Sequence, residues 1–255
     1  MKMTTITDIE DKFPAKVSRI TSEGEIYYLK RNIEKKITTK RAMNILQKFL
    51  ADILKIKTLA PTANTEQHST HEADKISSLR EAGLKVPEIH YSCEEYFIME
   101  DCGHRLKDIL KREEADKTLY LREAVKSLAL LHNHGFAHGG SQIRNFTVKD
   151  GEVYMIDFEE KIHKKYLSAI QFRDVLVFLI SIASLRARDI DYYEILKVYE
   201  EHSSSKDSIL NRIIKLTDRL YFLGRLSRTR VSKFFGKDLL FISYLIDDLS
   251  SIKRA

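Results

Sequence analysis

This chain of 255 residues predicts an α+β fold in two lobes, on three observations. Strand-like runs cluster before residue 100, helix-like runs follow it, and a polar connector, Glu100-Asp101-Cys102-Gly103, parts the two. Runs of strands followed by runs of helices argue α+β rather than a doubly wound sheet. The division is a small β-rich lobe over 1–103 and a helical lobe over 104–255 that carries one inserted hairpin. Only 3 Pro and 9 Gly punctuate the chain, which favours long helices.

The elements follow in order. Residues 16–30 predict a hairpin, with Ser22-Glu23-Gly24-Glu25 as its turn and the β-prone run Ile26-Tyr27-Tyr28-Leu29 as its second strand. Residues 32–57 are Lys-rich, with Ile45, Phe49, Ile53 and Ile56 near helical spacing, and 58–66 form a loop. A helix over Glu72–Ala82 stops at Gly83, with Pro87 just beyond. Residues 88–100 predict two strands around Ser92-Cys93-Glu94-Glu95, the second being Tyr96–Met99. Beyond the connector come a short helix, Leu106–Lys111, and a longer one over 117–134 with Leu119, Ala124, Leu128 and Leu131 as core contacts. Gly135 ends it. Thr147-Val148 and Val153–Ile156 flank Asp150-Gly151, a strong two-residue hairpin signal. Residues 166–252 read as helical throughout, without internal repeats.

A chain of this size buries roughly 70–75% of its unfolded surface, so its core needs neither metal nor disulfide. Hydrophobic content of 43% and charged content of 31% fit a soluble globular protein. The net charge of +6 permits an anionic partner such as nucleotide, nucleic acid or membrane surface without choosing among them. Cys93 and Cys102 are too few for a disulfide framework, and the N-terminus has no signal-peptide core, so a cytoplasmic protein is expected. His132, His134 and His138 lack a Cys or acid that would complete a zinc set.

The densest chemistry lies between His138 and Glu160, HGGSQIRNFTVKDGEVYMIDFEE. Asn145 and Asp157 stand on either side of the Asp150-Gly151 turn, and a hairpin brings its ends together, so both oxygens can face one metal. Asp157 also fits a turn or cap. Lys30 closes a strand and suits a phosphate, or simply solvent. Glu72 sits in the first turn of a helix, where it can pair with Lys30 or serve the helix dipole alone.

HGGSQIRN followed by IDFE resembles the catalytic loop H-x-D-x-x-x-x-N and the D-F-G motif of protein-kinase-like folds. Upstream, HEADKISSLREAGLKVPEIHYSCEEYFIMEDCGHRLKDIL resembles the matching stretch of small atypical kinases. The nearest pattern is that of the bacterial lipopolysaccharide kinases (Kdo and core heptose kinases), with the RIO and Bud-type kinases as relatives. The likeness covers roughly residues 16–180. It implies a two-lobed protein-kinase-like fold and ATP- and Mg²⁺-dependent phosphorylation of a hydroxyl. The implied acceptor is a sugar of a lipopolysaccharide precursor, an anionic glycolipid at the inner face of the cytoplasmic membrane. A RIO- or Bud-type protein Ser/Thr kinase and a nucleotide-binding pseudokinase or scaffold are the alternatives.

Carried over by position, Lys30 contacts phosphate and Glu72 is its ion-pair partner. Asn145 and Asp157 hold Mg²⁺. Glu100 to Gly103, with Cys102, form the hinge whose backbone meets adenine. His138 buttresses the catalytic loop, and Asp174 anchors it from the large helix. Three departures accompany the likeness. There is no G-x-G-x-x-G; D-F-G reads Asp157-Phe158-Glu159; and Gly140 replaces the catalytic Asp. Glu159 is then the expected group that orients the acceptor, with Glu160 and Gln142 as alternatives. The basic run over 225–237 suits an anionic membrane, a phosphorylated glycolipid or, less well, nucleic acid; it equally suits a solvated helix connection. Lys164-Lys165 suit an anionic acceptor.

Overall fold

A computed structural model describes residues 15–31, 69–158, 162–185 and 190–216. The helix expected over 32–57, the basic run over 225–237, and Glu159 and Glu160 lie outside the described residues. Four strands form an antiparallel sheet in the order β1-β2-β4-β3: β1 (Val17–Ser22), β2 (Glu25–Arg31), β3 (Ile89–Ser92) and β4 (Tyr96–Glu100). The β1–β2 register, Val17↔Lys30 to Ser22↔Glu25, leaves Glu23 and Gly24 as a two-residue turn. Their φ values of 55° and 85° are the pair of left-handed residues that a type I′ hairpin demands. A short turn therefore stands where a glycine-rich loop would otherwise sit.

The first helix, α1 (Ser69–Glu81), starts three residues before the expected Glu72 and places that Glu in its first turn. It ends in a Schellman arrangement: Gly83 has φ 82°, and Leu84 N–H donates to the Leu79 carbonyl at 3.0 Å. Ala73, Ile76 and Leu79 of α1 join Phe97 of β4 in the main core, which is shared with the helical lobe. On the other face of the sheet Ile20, Leu29 and Tyr96 make a separate small cluster.

The connector leads into a strand that sequence did not predict, β5 (His104–Arg105), and a helix α2 (Leu106–Ile109) two residues shorter than expected. β5 pairs with β6 (Phe146–Lys149), which pairs with β7 (Glu152–Met155). Asp150 and Gly151, with φ of 52° and 79°, form the second type I′ turn. The long helix α3 (Lys117–Asn133) is capped by Asp116, whose carboxylate accepts from Leu119 N–H at 2.9 Å. It ends on Gly135, and Phe136 N–H reaches back to the Leu131 carbonyl at 3.2 Å. Ala124, Leu128 and Leu131 are buried as expected, but Leu119 is 49% exposed. It lies beside the cap, two residues ahead of the first buried position, Leu121.

Of the region expected to be helical over 166–252, the described part includes the helices α4 (Leu167–Ala183) and α5 (Tyr192–His202), and the stretch from 217 onward lies outside the described residues. The helical segment Lys164–Ala183, which includes α4, is long and apolar enough to cross a membrane by length and composition, yet most of it is buried inside the molecule. Arg173 and Asp174 sit buried in its middle, so it serves as the central core helix of the second lobe.

Candidate nucleotide and phosphotransfer site

Strand β2 ends by presenting Lys30 inward, and α1 presents Glu72 across from it. Lys30 Nζ lies 2.8 Å from Glu72 Oε1 and 2.6 Å from Asp157 Oδ1. Lys30 and Glu72 are buried, whereas Asp157 is 41% exposed at the side chain. A buried charge is tolerable only when paired, so the Lys30–Glu72 pair holds strand to helix, and the Asp157 contact ties both to the second lobe. Asp157 has φ 70°, a left-handed conformation that a non-glycine residue rarely adopts. Such strain concentrates at functional sites.

The β6–β7 hairpin sets Asn145 beside this cluster. Its register runs from Phe146↔Met155, and one step further Ile156 N–H donates to the Asn145 carbonyl at 2.9 Å. Asn145 is 8% exposed, and its Nδ2 donates to the Gly140 carbonyl at 2.7 Å. That bond turns the amide oxygen away from the loop. The donor set suits Mg²⁺, which takes hard oxygen ligands from one or two side chains and completes its shell with phosphates and water. Among the described residues no cluster of three or more His, Cys, Asp or Glu offers a self-contained metal cage.

The loop carrying Gly140 is suspended from α4. Asp174, fully buried, accepts from His138 N–H at 2.7 Å and Gly139 N–H at 3.0 Å. Ser141 Oγ donates to the Asp174 carbonyl at 2.5 Å, and Arg173 Nη2 to the Gly139 carbonyl at 2.6 Å. Burial pushes the Asp174 carboxyl up, but His132 and the charges around it hold it below the usual carboxylate value.

His138 is buried completely, with its ring stacked on Phe158 at 4.6 Å between centroids. Burial pushes its pKa down to about 4, so the imidazole is neutral near pH 7. Its Nδ1 accepts from Gly140 N–H at 3.3 Å. A ring so enclosed cannot touch a substrate. Its geometry is that of a buttress to the loop, not of a group that transfers a proton. At Gly140 itself an added Cβ would meet only Asn145 Nδ2, at an ordinary 3.7 Å. The backbone there would accept a side chain that the sequence does not supply.

The connector also differs in detail from expectation. Glu100 ends β4, and its side chain takes Lys149 of β6 at 2.9 Å and Arg80 of α1 at 3.6 Å. Burial raises its pKa, but the Lys149 and Glu88 hydrogen bonds prevail and lower it. Cys102 is buried and its thiol is pushed up to about 12 by that burial, so it is inert. Both residues can therefore serve a nucleotide through backbone groups, not side chains. Gly103 has φ 81°, and a Cβ there would sit 2.2 Å from the Val148 carbonyl oxygen.

Three contributors escaped the sequence reading. Lys75, one turn after Glu72, donates to the Ala137 carbonyl at 3.1 Å and stands 5.3 Å from the Phe158 ring centroid. Its i+3 spacing from Glu72 was the available signal. Arg173 was marked only by adjacency to Asp174. Tyr199, whose hydroxyl lies 2.6 Å from His132 Nδ1, had no local signal.

A four-stranded antiparallel lobe, a Lys–Glu pair from strand to helix, and an Asn and Asp on a hairpin beneath it define the protein-kinase-like class. Within that class the chain belongs to the RIO family: the RIO domain matches residues 25–181. It is 29% identical over 143 residues to an uncharacterized protein of Haemophilus influenzae, covering 54% of this chain and 58% of that one. It is 30% identical over 145 residues to a probable bifunctional tRNA threonylcarbamoyladenosine biosynthesis protein of Methanospirillum hungatei, covering 55% and 26%. The KEOPS complex subunit Bud32 of Pyrococcus abyssi is 29% identical over 97 residues, covering 36% and 44%. The chain thus spans less than two thirds of each of these relatives. The RIO and Bud-type likeness, second in the sequence reading, takes the place of the lipopolysaccharide kinases as the supported one.

Proposed function

We propose that the protein is an ATP- and Mg²⁺-dependent phosphotransferase of the RIO/Bud32 type, acting on a hydroxyl of a protein. The observation that carries this reading is Lys30 buried between Glu72 and Asp157 at 2.8 and 2.6 Å. Phosphoryl transfer passes through a loose transition state, so positioning and charge neutralisation supply most of the catalysis. Lys30, oriented by Glu72, would neutralise phosphate oxygens, and Asp157 and Asn145 would hold Mg²⁺. When bound, the metal neutralises charge on the transferring group. Backbone groups of 100–103 would meet the base. The acceptor oxygen attacks the γ-phosphorus, the bond to the bridging oxygen breaks, and ADP leaves. The acceptor's proton passes to a carboxylate, and we assign that role to Glu159, which follows Phe158 in sequence.

A second reading, a nucleotide-binding scaffold, is favoured by Gly140. A positioned base contributes roughly 10²–10⁴-fold, a loss that slows a kinase without removing its nucleotide site. The test is ADP release and phosphoprotein formation from MgATP, compared with Lys30→Ala, Asp157→Ala and Glu159→Gln. The kinase reading expects turnover that all three substitutions lower. Turnover unaffected by Lys30→Ala and Asp157→Ala would reject the site. ATP binding without any turnover would leave the scaffold. Full activity in Glu159→Gln would remove that residue's role alone.

A further inference from the structure

We propose that Tyr199 is a positioning residue for the catalytic loop, acting through His132 on Asp174. This rests on the phosphotransferase reading for its effect on turnover, but not for its structural effect. Tyr199 lies on α5, His132 in the last turn of α3 and Asp174 in the middle of α4. All three are buried. The Tyr199 hydroxyl lies 2.6 Å from His132 Nδ1, and His132 Nε2 lies 3.5 Å from Asp174 Oδ2, an electrostatic contact without hydrogen-bond geometry. Asp174 in turn holds the His138 and Gly139 amides. The chain of groups runs from a helix remote from the nucleotide site to the backbone of the loop that would face the acceptor.

The direction of the first hydrogen bond decides whether this chain works. A neutral imidazole carries one N–H and one lone pair. If the phenol donates to Nδ1, a neutral His132 carries its proton on Nε2, the nitrogen 3.5 Å from the carboxylate. If Nδ1–H donates to the phenol instead, the Nε2 lone pair confronts Asp174, and like partial charges repel. The phenol is suited to donate, because the lone pair of a neutral imidazole is a better acceptor than a phenol oxygen. Tyr199 therefore selects the His132 tautomer that supports Asp174, and Asp174 fixes the loop. The remaining contacts of these helices do not substitute: Gln171 Nε2 of α4 donates to the His132 and Phe136 carbonyls at 3.1 and 2.9 Å, which secures the end of α3 but not the imidazole proton.

Tyr199→Phe tests this, since it keeps the buried ring and removes only the hydroxyl. ¹⁵N-histidine spectra of the full chain should give the Nε2–H form for His132 in the wild type and lose that preference in the variant. Amide exchange at His138 and Gly139 should accelerate by roughly 3- to 10-fold, while that of Leu29, in the other lobe, stays unchanged. The turnover rate should fall by a similar factor with the KM for ATP unmoved. Wild-type His132 in the Nδ1–H form would overturn the proposal. So would unchanged exchange at His138 and Gly139, or equal acceleration at Leu29, which marks general loosening. If wild-type turnover is absent, the function above fails while the tautomer and exchange readings still judge this inference.

Discussion

Gly140 is the residue that bears most directly on the proposed activity. Its surroundings leave room for a side chain, since a Cβ would meet only Asn145 Nδ2 at 3.7 Å. Gly140→Asp should therefore fold normally and add a carboxylate to the loop. With Glu159 in its assigned role, steady-state ADP release should change little in Gly140→Asp alone and rise by about 10²-fold when Gly140→Asp is added to Glu159→Gln, the lower range of general-base catalysis. A like rise in Gly140→Asp alone would mean that Glu159 does not perform the task. His138 carries the second residue-scale prediction. Its folded pKa of about 4 lies below the ordinary value of 6.5, so the unfolded chain binds the extra proton between those limits. Stability from this group is complete above pH 6.5 and is lost as pH falls toward 4. From pH 7 to 5 the loss is about 2 kcal/mol. Urea unfolding at the two pH values should show it in the wild type and not in His138→Phe. Equal slopes in both proteins would refute the assignment.

At the scale of elements, the hairpins and caps were legible because each depends on a few adjacent residues. Glu23-Gly24 and Asp150-Gly151 announced their turns, and Gly83 and Gly135 announced their helix ends. The approach of Asn145 to Ile156, the residue before Asp157, followed from the second turn alone. What was not legible depends on contacts remote in sequence. β5 has only two residues and exists because His104 and Arg105 meet Val148 and Thr147. Leu119 looked like core by composition, but its position beside the Asp116 cap faces it outward. Lys75 and Tyr199 gained their roles from Phe158 and His132, far along the chain. Gly103 marks the connector's closest packing. Gly103→Ala drives a Cβ into the Val148 carbonyl at 2.2 Å and also strains φ, which should cost at least about 3 kcal/mol. Gly24→Ala, with nothing within 4 Å, should cost only about 1–2 kcal/mol. Thermal unfolding of both variants separates the two; equal losses would contradict the packing argument.

At the scale of the molecule, two lobes share one core and meet at a charge cluster around Lys30. Phe97 and α1 pack with α3 and α4 residues in that core, so the lobes are joined by apolar contact as well as by the connector. Lys149–Glu100 and Arg80–Glu100 brace the connector from both sides. Lys30, Glu72 and Asp157 join β2, α1 and the end of the β6–β7 hairpin. The lobes thus converge on groups of a kind that bind phosphate and Mg²⁺. Calorimetric titration with ATP, with and without Mg²⁺, on the wild type and on Asp157→Asn tests that claim most directly. The wild type should bind ATP in a Mg²⁺-dependent manner, and Asp157→Asn should bind MgATP at least about tenfold more weakly, the scale of one charge-assisted contact. Binding that is indifferent both to Mg²⁺ and to Asp157→Asn would contradict it.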